Sequence, residues 1–239
     1  MMADDLRNKT TPVQPTVPPE LAVVVRAGVK AAQLVPGAVA LGGTVCSLYA
    51  GHRLSYDIDF VVSDLKARFE EVKENLESET GWSVGRVKPP VMILGSLDRV
   101  LIGYRQLKRL EPLEKQNLDT SDGVLPIPTL VELIRIKAFL ACDRNYVRDY
   151  YDFAELSQLL PQADVVDALV QLDAKWSSSQ RPGVGLEVLK SLADCQPVDD
   201  PEAVFRQLKF LKPRVGGWGE VQRICREIST ELSARLIKG

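Results

Sequence analysis

From Tyr56 to Val62 apolar and polar residues alternate. Tyr56, Ile58, Phe60 and Val62 fall on one face of a period-2 pattern, and Asp57 and Asp59 fall together on the other. The pattern predicts a strand with one core face and one acidic face. Upstream, the apolar positions from Glu20 to Leu34 suit a helix that Pro36 and Gly37 end. A short strand, Ala38 to Leu41, closes on Gly42-Gly43, and Thr44 opens a helical stretch to about Tyr49. Leu65 to Ser78 reads as a second helix, its charge run Glu70 to Glu74 marking a solvated surface. Trp82 to Lys88, Val91 to Leu94 and Val100 to Arg105 read as strands, separated by Pro89-Pro90 and Gly95-Ser96. Past an acidic loop around Asp119 and Asp122, Val124 to Ile127 adds a short strand. These elements predict an α+β protein with a mixed sheet and helices packed on it.

Thr129-x-x-Glu132 reads as a capping box that opens a helix to about Cys142. Glu132 and Arg135 mark its polar side. Lys137 lies roughly 160° around from Arg135, in line with Leu130, Leu133, Ile134 and Ala141, and a lysine on a buried stripe needs a partner. From Pro161 onward only helices are expected: Val165 to Trp176, Leu186 to Cys195, Glu202 to Leu211 and Glu220 to Ile237. Ser177 to Ser179, Pro197 and Gly216-Gly217 break them. Residues 1–19, polar and rich in Pro and Thr, read as a flexible arm. The division is thus an arm (1–19), a sheet domain (20–128) and a helical domain (129–239) expected to complete the functional site.

The chain has 239 residues, 45% hydrophobic and 26% charged, which is the composition of an ordinary globular protein. A net charge of -2 gives no global attraction to nucleic acid, so any RNA contact must be local. Arg206, Lys209, Lys212 and Arg214, near Trp218, form one modest basic cluster, for which a solvated helix end is the commoner explanation. Cys46, Cys142, Cys195 and Cys225 are scattered and His52 is the sole histidine, a set that argues against zinc and fits reduced thiols. No apolar run is long enough to span a bilayer and the N-terminus lacks the order of a signal peptide, which predicts a cytoplasmic protein without a membrane partner.

Candidate chemistry gathers between Leu41 and Phe60. Alternate strand residues stand roughly 7 Å apart, so Asp57 and Asp59 can lean onto one hard cation, or onto two that share a carboxylate. Oxygen-only ligation completed by water and phosphate suits Mg²⁺, or Mn²⁺ in its place. The diglycine lets backbone approach a ligand, and amides at a helix start form an anion site for phosphates. Either feature alone is commonly no more than a turn or a charged strand edge.

Together they resemble a known signature. The order apolar-Gly-Gly, thirteen residues, Asp-apolar-Asp-apolar is similar to that of the polymerase-β-like nucleotidyltransferase superfamily. Gly42-Gly43-Thr44, then Gly51-His52-Arg53-Leu54-Ser55, then Asp57-x-Asp59 most resembles the AbiEii-type toxin nucleotidyltransferases of bacterial toxin–antitoxin pairs. Lys137, Arg144 and Arg148-Asp149-Tyr150-Tyr151-Asp152 extend the likeness, which covers about Gly42 to Leu156.

The resemblance implies a nucleotidyltransferase fold with a helical C-terminal half, a nucleoside triphosphate substrate, an RNA acceptor such as a tRNA 3′ end, and a separate antitoxin protein as partner. It implies that Asp57 and Asp59 bind metal, and that Gly42, Gly43, Thr44, Arg53, Ser55, Lys137 and Arg148 bind nucleotide. Asp149 or Asp152 would act as base or orient the acceptor hydroxyl. The third carboxylate usual in the superfamily is missing from Val100 to Arg105. Asp98 substitutes for it, or two carboxylates suffice, or nucleotide binds without turnover. A small-molecule acceptor, as in the aminoglycoside nucleotidyltransferases, and a non-catalytic nucleotide- or antitoxin-binding module are the alternatives.

Overall fold

A computed structural model describes residues 13–109, 111–176 and 183–238. A 3₁₀ turn at Pro19–Leu21 leads into α1 (Ala22–Leu34), followed by β1 (Val39–Leu41), α2 (Gly42–Ala50), β2 (Asp57–Val62), α3 (Phe69–Glu77), β3 (Trp82–Lys88), β4 (Met92–Leu97) and β5 (Val100–Gln106). The sheet order is β1-β2-β5-β4-β3. β2 runs antiparallel to β1 and parallel to β5, while β4 pairs antiparallel with both β5 and β3. The sheet is therefore mixed, with β2 inside it and the acidic face of β2 left open. Ile58, Phe60 and Val62 fill the core face as the alternation predicts. Tyr56 does not join them. It lies before the strand and is 54% exposed, with the Lys209 ammonium 5.0 Å from its ring centre.

A ribbon of β6 (Lys115–Thr120) and β7 (Gly123–Pro128) follows. β6 occupies part of the stretch read as an acidic loop. Its residues are mostly polar and only Leu118 is buried, so it has no apolar alternation to announce it. Its register comes from its partner, in which Leu125 and Ile127 are buried.

The helical half comprises α4 (Leu130–Arg144), α5 (Val147–Ser157), α6 (Gln162–Val170), α7 (Leu172–Lys175), α8 (Val184–Asp194), α9 (Pro201–Gln207) and α10 (Trp218–Lys238). Thr129 caps α4, its hydroxyl accepting from the Glu132 N–H at 3.3 Å. Glu132 and Arg135 do form a polar side, and it is turned inward. Both are buried: Glu132 accepts from Arg109, and Arg135 pairs with Glu132 at 3.1 Å and Glu114 at 3.0 Å. Apolar burial on one side of α4 and ion-paired burial on the other leave this helix at the centre of the half.

One apolar cluster joins Ile58 and Phe60 of the sheet to Ile134 and Phe153 of the helices, so the core continues across the division expected at residue 128. Backbone pairing ties the halves again, because the Leu54 N–H donates to Lys209 O at 2.8 Å and the Leu211 N–H to His52 O at 2.9 Å. Arg214, grouped by sequence with a basic cluster, donates to Ala50 O at 2.6 Å, and its N–H donates to the buried Glu155 at 3.0 Å. Arg214 thus braces the end of α2. The expected flexible arm does not extend to residues 13–18, which run along the body with Pro15 buried and the Thr16 N–H donating to Leu48 O at 2.8 Å. Residues 1–12 and Ser177 to Ser179 lie outside the described residues.

Candidate active site

The acidic face of β2, the start of α2 and the facing ends of α4 and α5 enclose a cleft of about 450 Å³. Gly42 has φ +85°, a left-handed conformation that disfavours other residues. Gly43 is needed for a different reason. A Cβ there would stand 3.0 Å from the Arg53 guanidinium carbon, so its absence lets Arg53 lie flat against the first turn of α2.

Arg53 is held by Asp152. Its Nε donates to Oδ1 at 2.8 Å and its Nη2 to Oδ2 at 2.9 Å, a two-pronged pairing that fixes the guanidinium plane. His52 Nε2 meets Asp152 Oδ1 at 2.9 Å, and Lys137 Nζ reaches Asp152 Oδ2 and Asp149 Oδ1, each at 2.8 Å. Lys137 thus has the partner that its position on a buried stripe demands, in two carboxylates of α5. Burial works against the charge of Asp152, but Arg53 and Lys137 outweigh it and hold the carboxyl well below the usual range. Burial likewise opposes the charge on Lys137, and Asp149 and Asp152 overcome it, so the ammonium stays protonated. Arg148, one turn before Asp152 on α5, makes no ion pair with it, because Asp152 is buried against Arg53 and Lys137.

Asp57 and Asp59 open onto the cleft. Ser55 Oγ donates to Asp57 Oδ1 at 2.7 Å, and Thr44 Oγ1 donates to the Asp57 carbonyl at 2.5 Å. Asp59 is partly buried, which raises its pKa; Arg105, with Nε 3.7 Å from Asp59 Oδ1, opposes that rise, and Asp57 adds to it. Arg144 in the last turn of α4 and Arg148 in the first turn of α5 line the cleft, exposed and without an ion pair to any described residue.

Of the residues selected from sequence, Gly42, Gly43, Arg53, Ser55, Asp57, Asp59, Lys137, Arg148, Asp149 and Asp152 all line this one cleft. Thr44 does not. It is fully buried beneath the cleft, where it fixes the β2 backbone. Asp98 is not at the cleft either, pairing instead with Lys30 at 3.2 Å. Residues that sequence reasoning missed are Arg105, His52, Asp199 and Gln207. Asp199 and Gln207 also show that the helical half walls the cleft, with Asp199 Oδ1 accepting from the Val147 N–H at 2.8 Å. Only His52 carried a sequence signal, as the sole histidine beside Arg53.

Among the described residues no group of three or more His, Cys, Asp or Glu side chains is placed to hold a metal ion. Asp57 and Asp59 still fit Mg²⁺, which commonly binds through one or two carboxylates and completes its six oxygens with water and substrate phosphate. With so few protein donors, the cation would be held chiefly together with a phosphate ligand.

Fold and cleft together define an α+β protein in which two strand carboxylates face a glycine-opened helix start and several cations. No protein-family model matches the chain. It is similar to the haem uptake protein MmpL11 of Mycobacterium tuberculosis H37Rv, 33% identical over 138 residues, which is 54% of this chain and 13% of that protein. A mycolic acid-containing lipids exporter, MmpL11 of Mycolicibacterium smegmatis, is 30% identical over 130 residues, covering 53% and 13%. The chain thus spans about an eighth of the length of these curated relatives. Among its described residues no helix is long and apolar enough to cross a membrane. Solved structures that it resembles include an antigenic nucleotidyltransferase-like protein from Paracoccidioides brasiliensis, with TM-score 0.45 and 16% identity over 73% of this chain and 94% of that one. A tRNA-processing enzyme gives TM-score 0.33 and 15% identity over 78% and 59%.

Proposed function

We propose that this chain is a divalent-cation-dependent nucleotidyltransferase that acts on RNA, for instance a tRNA 3′ end, as the cytoplasmic toxin of a bacterial toxin–antitoxin pair. The observation that carries the reading is the convergence on one cleft of two strand carboxylates, a diglycine helix start and the buried Arg53–Asp152–Lys137–Asp149 system. Motifs separated by nearly a hundred residues in sequence meet there.

In this transfer the acceptor hydroxyl gives up its proton to Asp149 or to water, its oxygen bonds to the α-phosphorus, the bond from that phosphorus to the bridging oxygen breaks, and pyrophosphate leaves with the electron pair. Asp57 and Asp59 are the residues that would hold Mg²⁺ or Mn²⁺, which when bound neutralises phosphate charge and aligns the attacking and leaving oxygens. Gly42 and Gly43 present the start of α2 to the triphosphate, and Ser55 fixes the Asp57 carboxylate. Arg53 and Lys137 face the cleft as cations whose geometry is set before substrate arrives, so little reorganisation is needed. Asp152 has both oxygens committed and is a positioning residue. Asp149 is then the carboxylate that orients the acceptor hydroxyl, while the exposed Arg144 and Arg148 meet phosphates of the nucleotide or the acceptor.

Purified protein is to be incubated with labelled triphosphates, Mg²⁺ and either total tRNA or a panel of small hydroxyl-bearing molecules. Label in the tRNA, lost when its 3′ hydroxyl is oxidised, is the expected result, with growth arrest on expression that Asp59→Ala abolishes. Label on a small molecule would overturn the RNA acceptor, and triphosphate binding with no transfer to any acceptor would overturn catalysis.

The raised pKa of Asp59 gives a further expectation. A cation binds the ionised carboxylate, so metal-dependent triphosphate binding should fall with decreasing pH, beginning above the ordinary aspartate value of about 3.9. Because the triphosphate also takes up a proton in acid, calorimetric titration across a pH series is run beside Asp59→Asn; the same pH dependence in both proteins would separate Asp59 from the cation.

A further inference from the structure

β5 lies beside β2 in parallel register, with Asp57 opposite Leu101, Asp59 opposite Gly103 and Val61 opposite Arg105. Three positions of β5 therefore share the face of the two carboxylates, and none is acidic. Gly103 has no room for a side chain, since a Cβ there would run into the Asp59 carboxylate and stand 3.0 Å from Leu94 Cδ2. The next position on that face carries Arg105. Its Nε lies 3.7 Å from Asp59 Oδ1 and its Nη1 3.0 Å from Met92 Sδ, so the guanidinium is held from two sides.

Paired catalytic metal ions stand about 3.5–4 Å apart. A second ion sharing Asp59 on its β5 side would meet the Arg105 guanidinium at close range, cation against cation. The same space would need a further carboxylate to hold that ion, and β5 supplies none. Arg105 is about 40% exposed at its side chain and lines the cleft, so its guanidinium is open to a ligand bound beside Asp59.

We propose that Arg105 takes the place of a second divalent cation: the cleft holds one ion, through Asp57 and Asp59, and the guanidinium is the second positive centre facing the triphosphate. This rests on the nucleotidyltransferase reading above. It makes Arg105 a substrate-contacting residue in a position where an acid would instead recruit metal.

Mn²⁺ and a non-hydrolysable α,β-methylene triphosphate analogue test it on the full chain, with electron paramagnetic resonance as the readout and the protein-free Mn²⁺–analogue mixture as background. The wild-type complex should bind one Mn²⁺ with the spectrum of an isolated ion. Arg105→Glu should bind two, with the broadening of neighbouring coupled ions. Arg105→Ala should keep one ion and lose about tenfold in analogue affinity, the scale of one contact to a charged group. Two coupled ions in the wild type would overturn the proposal, as would a single ion in Arg105→Glu or unchanged analogue affinity in Arg105→Ala. Failure of the wild type to bind the analogue with Mn²⁺ at all would instead remove the nucleotidyltransferase reading, an outcome distinct from two ions bound.

Discussion

Replacing Asp152 by alanine should destabilise the fold by about 3–5 kcal/mol, the scale of breaking a buried ion pair by removing one partner. The carboxylate is fully buried and meets Arg53, His52 and Lys137, so its loss leaves the buried Arg53 without a carboxylate and Lys137 with Asp149 alone. A domain has only about 5–15 kcal/mol of stability in all, so Asp152→Ala should lose a large share of it. Asp149→Ala should cost less, since Asp149 meets Lys137 alone among those cations and Asp152 remains to balance it. The pH dependence has a definite sign. A carboxyl held well below its unfolded value contributes in full above about pH 4 and loses that contribution only as pH falls toward the depressed native value. Asp152→Asn should therefore start less stable at neutral pH and show a shallower loss in acid. Urea denaturation over a pH series measures both effects; an Asp152→Ala protein as stable as the wild type would assign Asp152 to chemistry instead of architecture.

Local periodicity made the acidic face of β2 legible, because a strand of alternating residues sorts Asp57 and Asp59 from Ile58 and Phe60 without further information. The isolation of Lys137 on an apolar stripe was equally visible, as was its need for a partner. The identity of that partner was not. Asp149 and Asp152 lie on a different helix, and only the packing of α4 against α5 shows that both turn toward Lys137. Glu132 and Arg135 show the limit of helical periodicity: it finds a polar face but cannot tell whether water or a neighbouring guanidinium satisfies it. Arg109, Glu114 and Lys175 complete that network from three other segments. Arg105 gives no signal in sequence, because the resemblance leads to an acid on Val100 to Arg105, whereas the residue that meets Asp59 there has the opposite charge. The wall formed by Asp199 and Gln207 had no motif at all, since lining a cleft requires only the right place in the fold.

Asp57→Asn should keep the fold and lose the chemistry. The introduced amide would retain an oxygen that can accept from Ser55, and the Thr44 hydroxyl bonds the Asp57 carbonyl, which the substitution leaves untouched. Asp57 is exposed to the cleft, so the variant buries no new unpaired group. What it removes is one of two negative charges available to a cation, in a site whose remaining carboxylate, Asp59, already has Arg105 beside it. Charge stabilisation by a metal ion is worth several kcal/mol in a transition state, so nucleotidyl transfer should fall about a thousandfold. Arg148→Ala makes the contrast. It removes an exposed cation with no ion pair to a described residue, so its effect should be confined to binding, with the salt dependence of RNA association shallower by about one unit. Transfer rates at saturating acceptor, read beside thermal melts, separate the two. Asp57→Asn with wild-type turnover would remove β2 from the chemistry, and a variant that melts early would show that Asp57 serves the fold.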